Sequence, residues 1–501
     1  MRRVLIANRG EIALRVIRAC RDEGLESVAV FSDADRDAPF VRAADRAIRI
    51  GPPAPSESYL RIDAIIAAAR ESGADAVHPG YGFLSERAPF AVAVDAAGLT
   101  FIGPPASAIA AMGDKTAARS RMAAAGVPIV PGATEAVRSE ADAATTAESI
   151  GYPVLVKAAA GGGGKGMRVV LDAGELPASL CAASREAEKA FGDGAVYLEK
   201  YIERPRHIEI QVLADHERTV HLGERECSIQ RRHQKLIEEA PSVAVDAPLR
   251  ERMGAAAVAA ASAVGYRGAG TCEFLLAPDG AFYFLEMNAR IQVEHTVTEE
   301  VYGIDLVREQ LRIAAGKAMS LPRGQPVPRQ WAIECRITSE DPANGLLPSA
   351  GTIRWLRPPA GPGVRWECGV ETGSEVTLFY DSMIAKLIAR GTTRADAIAT
   401  MRRALRELMI VGVATNVPLH LAVLDDPEFV AGAIDIQFLD RRHDLVAPPM
   451  DDADATRLAV AAALLAERQR TSRTAMGTVV SKGIVAARSA WTEAGRIDAL
   501  R

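Results

Sequence analysis

Aromatic residues are scarce, at 5% of 501 positions, and cysteine occurs only six times, with no C-x-x-C pair. Cys20, Cys181, Cys227, Cys272, Cys335 and Cys368 lie too far apart in sequence to read as a disulfide framework or a cysteine-based zinc site. They fit a reducing cytoplasm. No apolar run reaches the roughly 18 residues of a membrane-spanning helix. The N-terminal MRRVLIANRGEIALRV is broken by Arg9 and Glu11, so it is not a signal peptide. Excess positive charge is also missing: 59 Lys and Arg against 64 Asp and Glu leave a net −5, which gives no global pull toward nucleic acid or an anionic membrane. The one basic run, QRRHQK at 230–235, lacks the interleaved aromatics of a nucleic-acid patch. Any anion site must therefore be local.

The length exceeds one hydrophobic core and predicts roughly two to four domains. RVLIAN, the helical-period EIALRVIRACRDEG and SVAVF predict a βαβ unit over residues 2–31, hence a Rossmann-like, parallel N-terminal domain. Gly10 is the only glycine in its first turn, which excludes the G-x-G-x-x-G dinucleotide fingerprint. The alternation runs to Gly103-Pro104-Pro105, and a helix starts near Ser107. YPVLVK, MRVVL and AVYLEKYI predict strands around a glycine loop, with a helix near 174–190. RHIEIQVLAD, TVHLGE, GTCEFLLA and AFYFLEMN predict a second, antiparallel sheet. From Trp331 come short strands and a helix near 394–409, ending near Leu445. Pro448 and an acidic DDAD lead into an Ala-rich helix, RLAVAAALLAERQR. The fold class is α/β and α+β, multidomain, with expected divisions at 1–112, 113–330, 331–445 and 446–501.

The glycine loop, AAAGGGGKGMRVV at 158–170, carries the first chemical signal. A Walker A loop needs a hydroxyl residue after its lysine, but Gly166 follows Lys165. Lys157 instead ends a strand just before Gly161, Gly162, Gly163 and Gly164, whose missing side chains let backbone N–H groups approach phosphate oxygens. Lys115 in MGDK offers a second cation. Further on, a loop of Pro278 to Ala281 would set Ala277 opposite Phe282 and Glu273 opposite Glu286, with Asn288 on the same face. Carboxylates ~5 Å apart repel by roughly 3 kcal/mol at an effective dielectric near 20. A divalent cation offsets that, and hard oxygen ligands select Mg²⁺ or Mn²⁺. In RHIEIQV, His207, Glu209 and Gln211 share one face and Ile208, Ile210 and Val212 the other. Arg290, Gln292 and Glu294 alternate, so in extended backbone they project together. The guanidinium suits a planar oxyanion, and the carboxylate can take its proton.

Two lysines, a glycine loop and a carboxylate hairpin are the parts of an ATP-grasp enzyme. From VLIANRGEIA through HPGYGFLSE, MGDK, GGGGKGMR, EKYIERPRHIEIQV, ERECSIQRRHQK, EMNARIQVEHTVTE and ECRI, the chain resembles the biotin carboxylase component of biotin-dependent carboxylases. The resemblance covers residues 4 to about 445. It implies an ATP-grasp domain with a mobile lid, about 131–203, between N- and C-terminal biotin carboxylase domains. It implies ATP, Mg²⁺ or Mn²⁺, and biotin borne on a carrier. His207, His233 and the segment Glu199, Lys200, Tyr201, Ile202 would hold the nucleotide. Lys235, Arg290, Gln292 and the N–H of Val293 would hold bicarbonate. Glu294 would be the general base, Arg336 would steady the biotin enolate, and Tyr81 would touch biotin. Carboxyphosphate would be the intermediate.

One position departs from the family's longer glycine run, where Ala160 stands first. The chain has no Met-Lys-Met biotinylation site, so the carrier belongs to another segment or polypeptide. Residues 446–501 resemble the region after biotin carboxylase in acyl-CoA carboxylase α-chains, where partner binding begins. This implies a carboxyltransferase β-subunit partner, in a homo- or hetero-oligomer, and an acetyl- or propionyl-CoA carboxylase. Biotin carboxylase of another carboxylase and an inactive nucleotide-binding scaffold are the alternatives. A scaffold would have lost some of Lys235, Glu273, Glu286, Arg290, Glu294 or Arg336, and all are present. An ATP-grasp peptide ligase would not combine RIQVEH with ECRI.

Five glycines in residues 161–166 lose much backbone entropy when they order on phosphate. An open, mobile loop that ATP closes, excluding water from a hydrolysable intermediate, is expected. Hydrogen exchange across 158–170 should slow when Mg²⁺ and a non-hydrolysable ATP analogue are added. Unchanged exchange would mean that the loop is not a phosphate lid.

Overall fold

The computed structural model describes residues 1–446 except 114, 134–135, 138, 159–166 and 325, together with 456, 460, 463 and 464 beyond them. Met1–Ala447 forms one unit and Pro448–Arg501 another. The glycine run Gly161 to Gly164 and most of the expected Ala-rich helix lie outside the described residues, as does the side chain of Lys115. Among the described residues no helix is long and apolar enough to cross a membrane.

The first 105 residues build a five-stranded parallel sheet, ordered Arg46–Gly51, Glu26–Ser32, Arg3–Ile6, Ala76–His78, Thr100–Phe101. Val4, Leu5 and Ile6 are fully buried, as a strand covered on both faces requires. The chain winds outward in both directions from the neighbours Arg3–Ile6 and Ala76–His78. Such a switch point opens a crevice at the carboxyl ends of the strands. Glu11, Tyr81 and Glu86 follow those two ends.

The second sheet has eight antiparallel strands in the order Phe282–Asn288, Gly268–Leu276, Arg206–Ala214, Thr219–Arg231, Gln234–Ala240, Trp331–Thr338, Met383–Gly391, Val364–Cys368. Gln234–Ala240 pairs with Trp331–Thr338, so hydrogen bonding runs straight across the division expected at 330. Pairing at this point spares both strands an open edge. A smaller sheet, Arg168–Val170, Val154–Ala158, Val196–Lys200, packs with helices Glu140–Ile150 and Leu176–Phe191 around its own core of Ala143, Val154, Val156, Val170, Ala183 and Leu198.

Two details of backbone differ from the sequence expectation. The carboxylate hairpin turns one residue earlier: Ala277 N–H bonds Ala281 C=O at 2.8 Å and Leu276, not Ala277, faces Phe282. A bulge at Leu285 then restores the register, and Glu273 does face Glu286. The segment after Asn288 is not extended. It bends, turns, and enters helix His295–Tyr302 with Glu294 at its N-cap, so Arg290, Gln292 and Glu294 do not share a strand face. Alternation misleads here because the strand has already ended.

Candidate active site

Register places four ionisable side chains in one row across the large sheet. Arg225 is opposite Glu209, Glu209 opposite Glu273, and Glu273 opposite Glu286. The row exists because Ile208, Ile210 and Val212 are buried in the core on the other face, which turns His207, Glu209 and Gln211 toward the cleft. Two of the three adjacent carboxylates, Glu209 and Glu273, are buried and need cations. Lys235 enters from Gln234–Ala240, just past a tight turn whose Arg232 and His233 have φ of 49° and 65°. Its ammonium donates to Glu209, to Glu273 at 2.9 Å and to Glu294 at 2.9 Å. Burial works against charge on all four groups, yet the attraction wins: Lys235 is raised, and Glu209, Glu273 and Glu294 are held below the usual carboxylate range. His207 lies 3.3 Å from Glu209 and 3.2 Å from Glu273. Burial would lower its pKa, but the two carboxylates push it up to about 9.

Sequence reading missed Arg225, which is fully buried. It donates to Glu209 at 3.1 Å, Gln211 at 2.6 Å, Thr298 at 3.0 Å, Thr271 at 2.9 Å and Gln292 at 2.6 Å. A cation between two glutamates, ERE, within the strand Thr219–Arg231 was the available signal. Gln292 also donates to Glu273 at 2.8 Å and Asn288 at 2.5 Å, so both ends of its amide brace the cluster.

Glu294 has one oxygen on Lys235 and the other 3.0 Å from Arg336. Arg336 in turn donates to Glu238 at 2.5 Å. Arg290 donates to Glu86, beyond the Ala76–His78 strand, at 2.9 Å and to Asn288 at 3.4 Å. The carbonyl of Val293 accepts from the buried Lys386 at 2.7 Å. Lys386 is 3.3 Å from Glu11, to which Tyr81 donates. Neither Glu86, Glu238 nor Lys386 was picked out from sequence, because their partners come from distant segments.

The residues expected around the nucleotide divide. Lys157 meets Glu199 at 2.9 Å, and the buried Arg119 caps the same carboxylate. Lys200 instead donates to the carbonyls of Gly151 and Tyr152, both at 3.0 Å, and Tyr201 accepts from Gln437 at 2.7 Å. Ile202 is half-buried and His233 is exposed at the hairpin turn.

Among the described residues several groupings of ligand atoms could serve a divalent ion, Glu209 with Cys227 and Glu294 among them. His207, Glu209 and Glu273 bring ligand atoms within 4.8 Å of one another, but Lys235 and Arg225 already neutralise them. Glu286, Asn288 and Glu86 line a cavity of about 190 Å³ that reaches Met112 and Gly113, and Asn288 donates to Glu286 at 3.2 Å. Glu273 lies across the strand pair from Glu286, and although Lys235 also holds it, this all-oxygen set fits Mg²⁺ or Mn²⁺.

Three family models match in succession: Biotin carboxylase, N-terminal domain, over residues 1–109; Carbamoyl-phosphate synthase L chain, ATP binding domain, over 114–321; and Biotin carboxylase C-terminal domain, over 334–441. The chain is 52% identical to Biotin carboxylase 1 of Bacillus subtilis over 88% of its own length and 98% of that protein. The chain belongs to the biotin carboxylase family. Other members similar to it are a pyruvate carboxylase component of Methanothermobacter thermautotrophicus (52% identity; 87% of this chain, 89% of that one) and the propionyl-CoA carboxylase alpha chain of Ruegeria pomeroyi (46%; 94% and 73%). Among solved structures, the biotin carboxylase domain dimer of Hydrogenobacter thermophilus 2-oxoglutarate carboxylase, in complex with MgADP, ADP and bicarbonate, superposes with a TM-score of 0.84 at 45% identity, covering 90% of this chain and 99% of that one. The resemblance read from the motifs is thus the family itself, with the three-domain ATP-grasp fold of an ATP-dependent ligase.

In this biotin carboxylase chain Arg225 is the cation most deeply committed to structure. Arg225→Met leaves Glu209, Gln211 and Gln292 short of a donor. It should destabilise the fold by about 3–5 kcal/mol, the cost of stripping one partner from a buried charged network. Urea denaturation measures this, and a loss below about 1 kcal/mol would contradict the network.

Proposed function

We propose that the chain carboxylates biotin on a carrier, using ATP and bicarbonate, through carboxyphosphate. The observation that carries this reading is the Glu294 carboxylate held between Lys235 and Arg336, a short turn beyond the Glu273–Glu286 hairpin. Lys235, Arg290 and the N–H of Val293 hold bicarbonate against Glu294. Glu294 must be ionised to take the bicarbonate proton, and its two cations keep it so. Those same cations make it a weak base. When bicarbonate draws Lys235 to itself, the carboxylate loses a stabilising partner and gains basicity as the substrate arrives.

The deprotonated bicarbonate attacks the γ-phosphorus of ATP, the bond to the β-phosphate oxygen breaks, and ADP leaves. Lys115, Lys157 and the glycine loop Gly161 to Gly164 meet the charge on the phosphoryl group. Glu273, Glu286 and Asn288 are the residues that would hold Mg²⁺ or Mn²⁺, which supplies charge neutralisation across the phosphates. His207, His233 and Glu199 to Ile202 flank the nucleotide. Carboxyphosphate breaks at its carbon–oxygen bond into CO₂ and phosphate beside the ureido ring, the phosphate takes the ureido N–H proton, and the ureido nitrogen of the resulting enolate, steadied by Arg336 with Tyr81 alongside, bonds to the carbon of CO₂.

In this reading residues 1–112, 113–330 and 331–445 are the three domains, with the lid at about 131–203. A compact lid with its own core supports that division. Residues 446–501 open the partner-binding region. The carrier lies elsewhere, and the partners are further copies of this chain and a carboxyltransferase, in the cytoplasm. Likeness to the propionyl-CoA carboxylase alpha chain extends further along this chain than likeness to the pyruvate carboxylase component, which favours an acetyl- or propionyl-CoA carboxylase.

ATP turnover should be slow with bicarbonate alone and rise with free biotin. Arg336→Ala should remove that rise by roughly 10²-fold, the worth of one transition-state donor, while the KM for ATP holds. Steady-state kinetics decide: turnover indifferent to bicarbonate and biotin would leave the inactive scaffold, and a matching loss of ATP affinity would contradict the role of Arg336.

A further inference from the structure

Behind Arg336 lies a second pair of acidic residues that the reaction above does not use. Glu238 on Gln234–Ala240 stands directly opposite Glu334 on Trp331–Thr338, and both are completely buried. Directly opposed residues hold their Cβ atoms about 5 Å apart, close enough for the carboxyl groups to meet. Each has one oxygen satisfied. Glu238 Oε1 accepts from Arg336 Nε at 2.5 Å, and Glu334 Oε2 accepts from the Thr296 hydroxyl. Each also has one buried oxygen with no hydrogen-bond partner, Oε2 of Glu238 and Oε1 of Glu334. Two buried anions at this separation, each with an idle acceptor, are a costly arrangement. A single proton removes both faults at once, since it neutralises one carboxylate and makes one hydrogen bond between the two idle oxygens.

We propose that Glu238 and Glu334 share one proton, carried on Glu334 and donated to Glu238, and that this pair is a positioning device that fixes Arg336 against Glu294. The partners decide which residue carries the proton. Glu238 faces a guanidinium, which rewards the ionised form, while Glu334 faces a neutral hydroxyl. The charged groups around the pair agree with one shared proton. Arg336 extends from the same strand as Glu334. Glu294, from the head of helix His295–Tyr302, adds negative charge beside Glu238, and Lys235 adds positive charge from the Glu238 strand. Lys386, opposite Arg336 on the next strand, faces Glu334 but also serves Glu11 and the Val293 carbonyl, and Tyr81 closes the far side through Glu11. Burial raises both acids, Glu238 to about 7 and Glu334 to about 8, each further raised by a neighbouring carboxylate.

The consequence for the reaction lies in geometry. With the proton in place, Glu238 carries one negative charge and holds Arg336 Nε, leaving its other nitrogen on Glu294 and toward the enolate. Without it, two anions compete with Glu294 for the guanidinium. The sign is that of a raised carboxyl pKa. The proton on Glu334 is held at neutral pH and lost as pH rises through about 8, when the second anion appears.

The inference rests on the assigned role of Arg336, so its test has a readout independent of turnover. Infrared difference spectroscopy of the whole chain, wild type minus Glu334→Gln, should show the carbonyl stretch of a protonated carboxylic acid at neutral pH, fading as pH passes about 8. Separately, Glu238→Gln should cut biotin-stimulated ATP turnover by roughly tenfold to a hundredfold, the worth of one charge-assisted hydrogen bond, with KM for ATP unmoved, and Glu238→Asp should recover part of it. A spectrum with no protonated acid assignable to Glu334 would overturn the shared proton even if the chain is a fully active carboxylase. The acid band in a chain without biotin-stimulated turnover would uphold the pair and sink the carboxylase reading instead. Glu238→Gln with wild-type biotin stimulation would refute the positioning role.

Discussion

Everything in the site depends on how Lys235 settles three buried carboxylates. Glu209, Glu273 and Glu294 come from two strands and a helix cap, and no one of them could stay ionised in that environment without a cation in reach. One ammonium touches all three. The arrangement is therefore stable and yet easily disturbed: any anion that recruits Lys235 changes the charge balance at Glu294 and Glu273 in the same event. In the proposed reading, the base, one metal carboxylate and the anion-binding cation are thereby linked by contact alone.

The same economy explains why the N-terminal sheet is needed. Its topological switch point delivers Glu86 to Arg290 and Glu11 to Lys386, so the two ends of the bent segment 289–294 are held from a different domain. The bend matters. It sends Arg290 to Glu86 and leaves Glu294 to Lys235 and Arg336, so each group has partners of its own.

Much of this was legible in the sequence because it rests on short-range rules. Period-two alternation in RHIEIQV placed His207 and Glu209 on the cleft face, and hairpin counting brought Glu273 to Glu286. That second success involved a turn one residue early and a compensating bulge at Leu285, neither of which any local signal marks. Alternation failed at Arg290, Gln292 and Glu294, where nothing in the residues says that the strand has stopped. It was also silent on Arg225, Glu238 and Lys386, whose importance comes from partners far along the chain: Arg225 meets Gln292, Glu238 meets Arg336, and Lys386 meets the Val293 carbonyl. Roles for Lys235 and Arg336 came from family likeness, and the geometry supplies the physical reason those positions need cations.

The central claim is that cleavage of ATP at this site is coupled to carbon transfer onto biotin. Incubating the chain with ATP, Mg²⁺, free biotin and isotopically labelled bicarbonate, and then counting acid-labile label on biotin against ADP formed, measures that coupling directly. The account predicts label on biotin that requires ATP and rises in proportion to ADP. ADP accumulating with no label on biotin would contradict it.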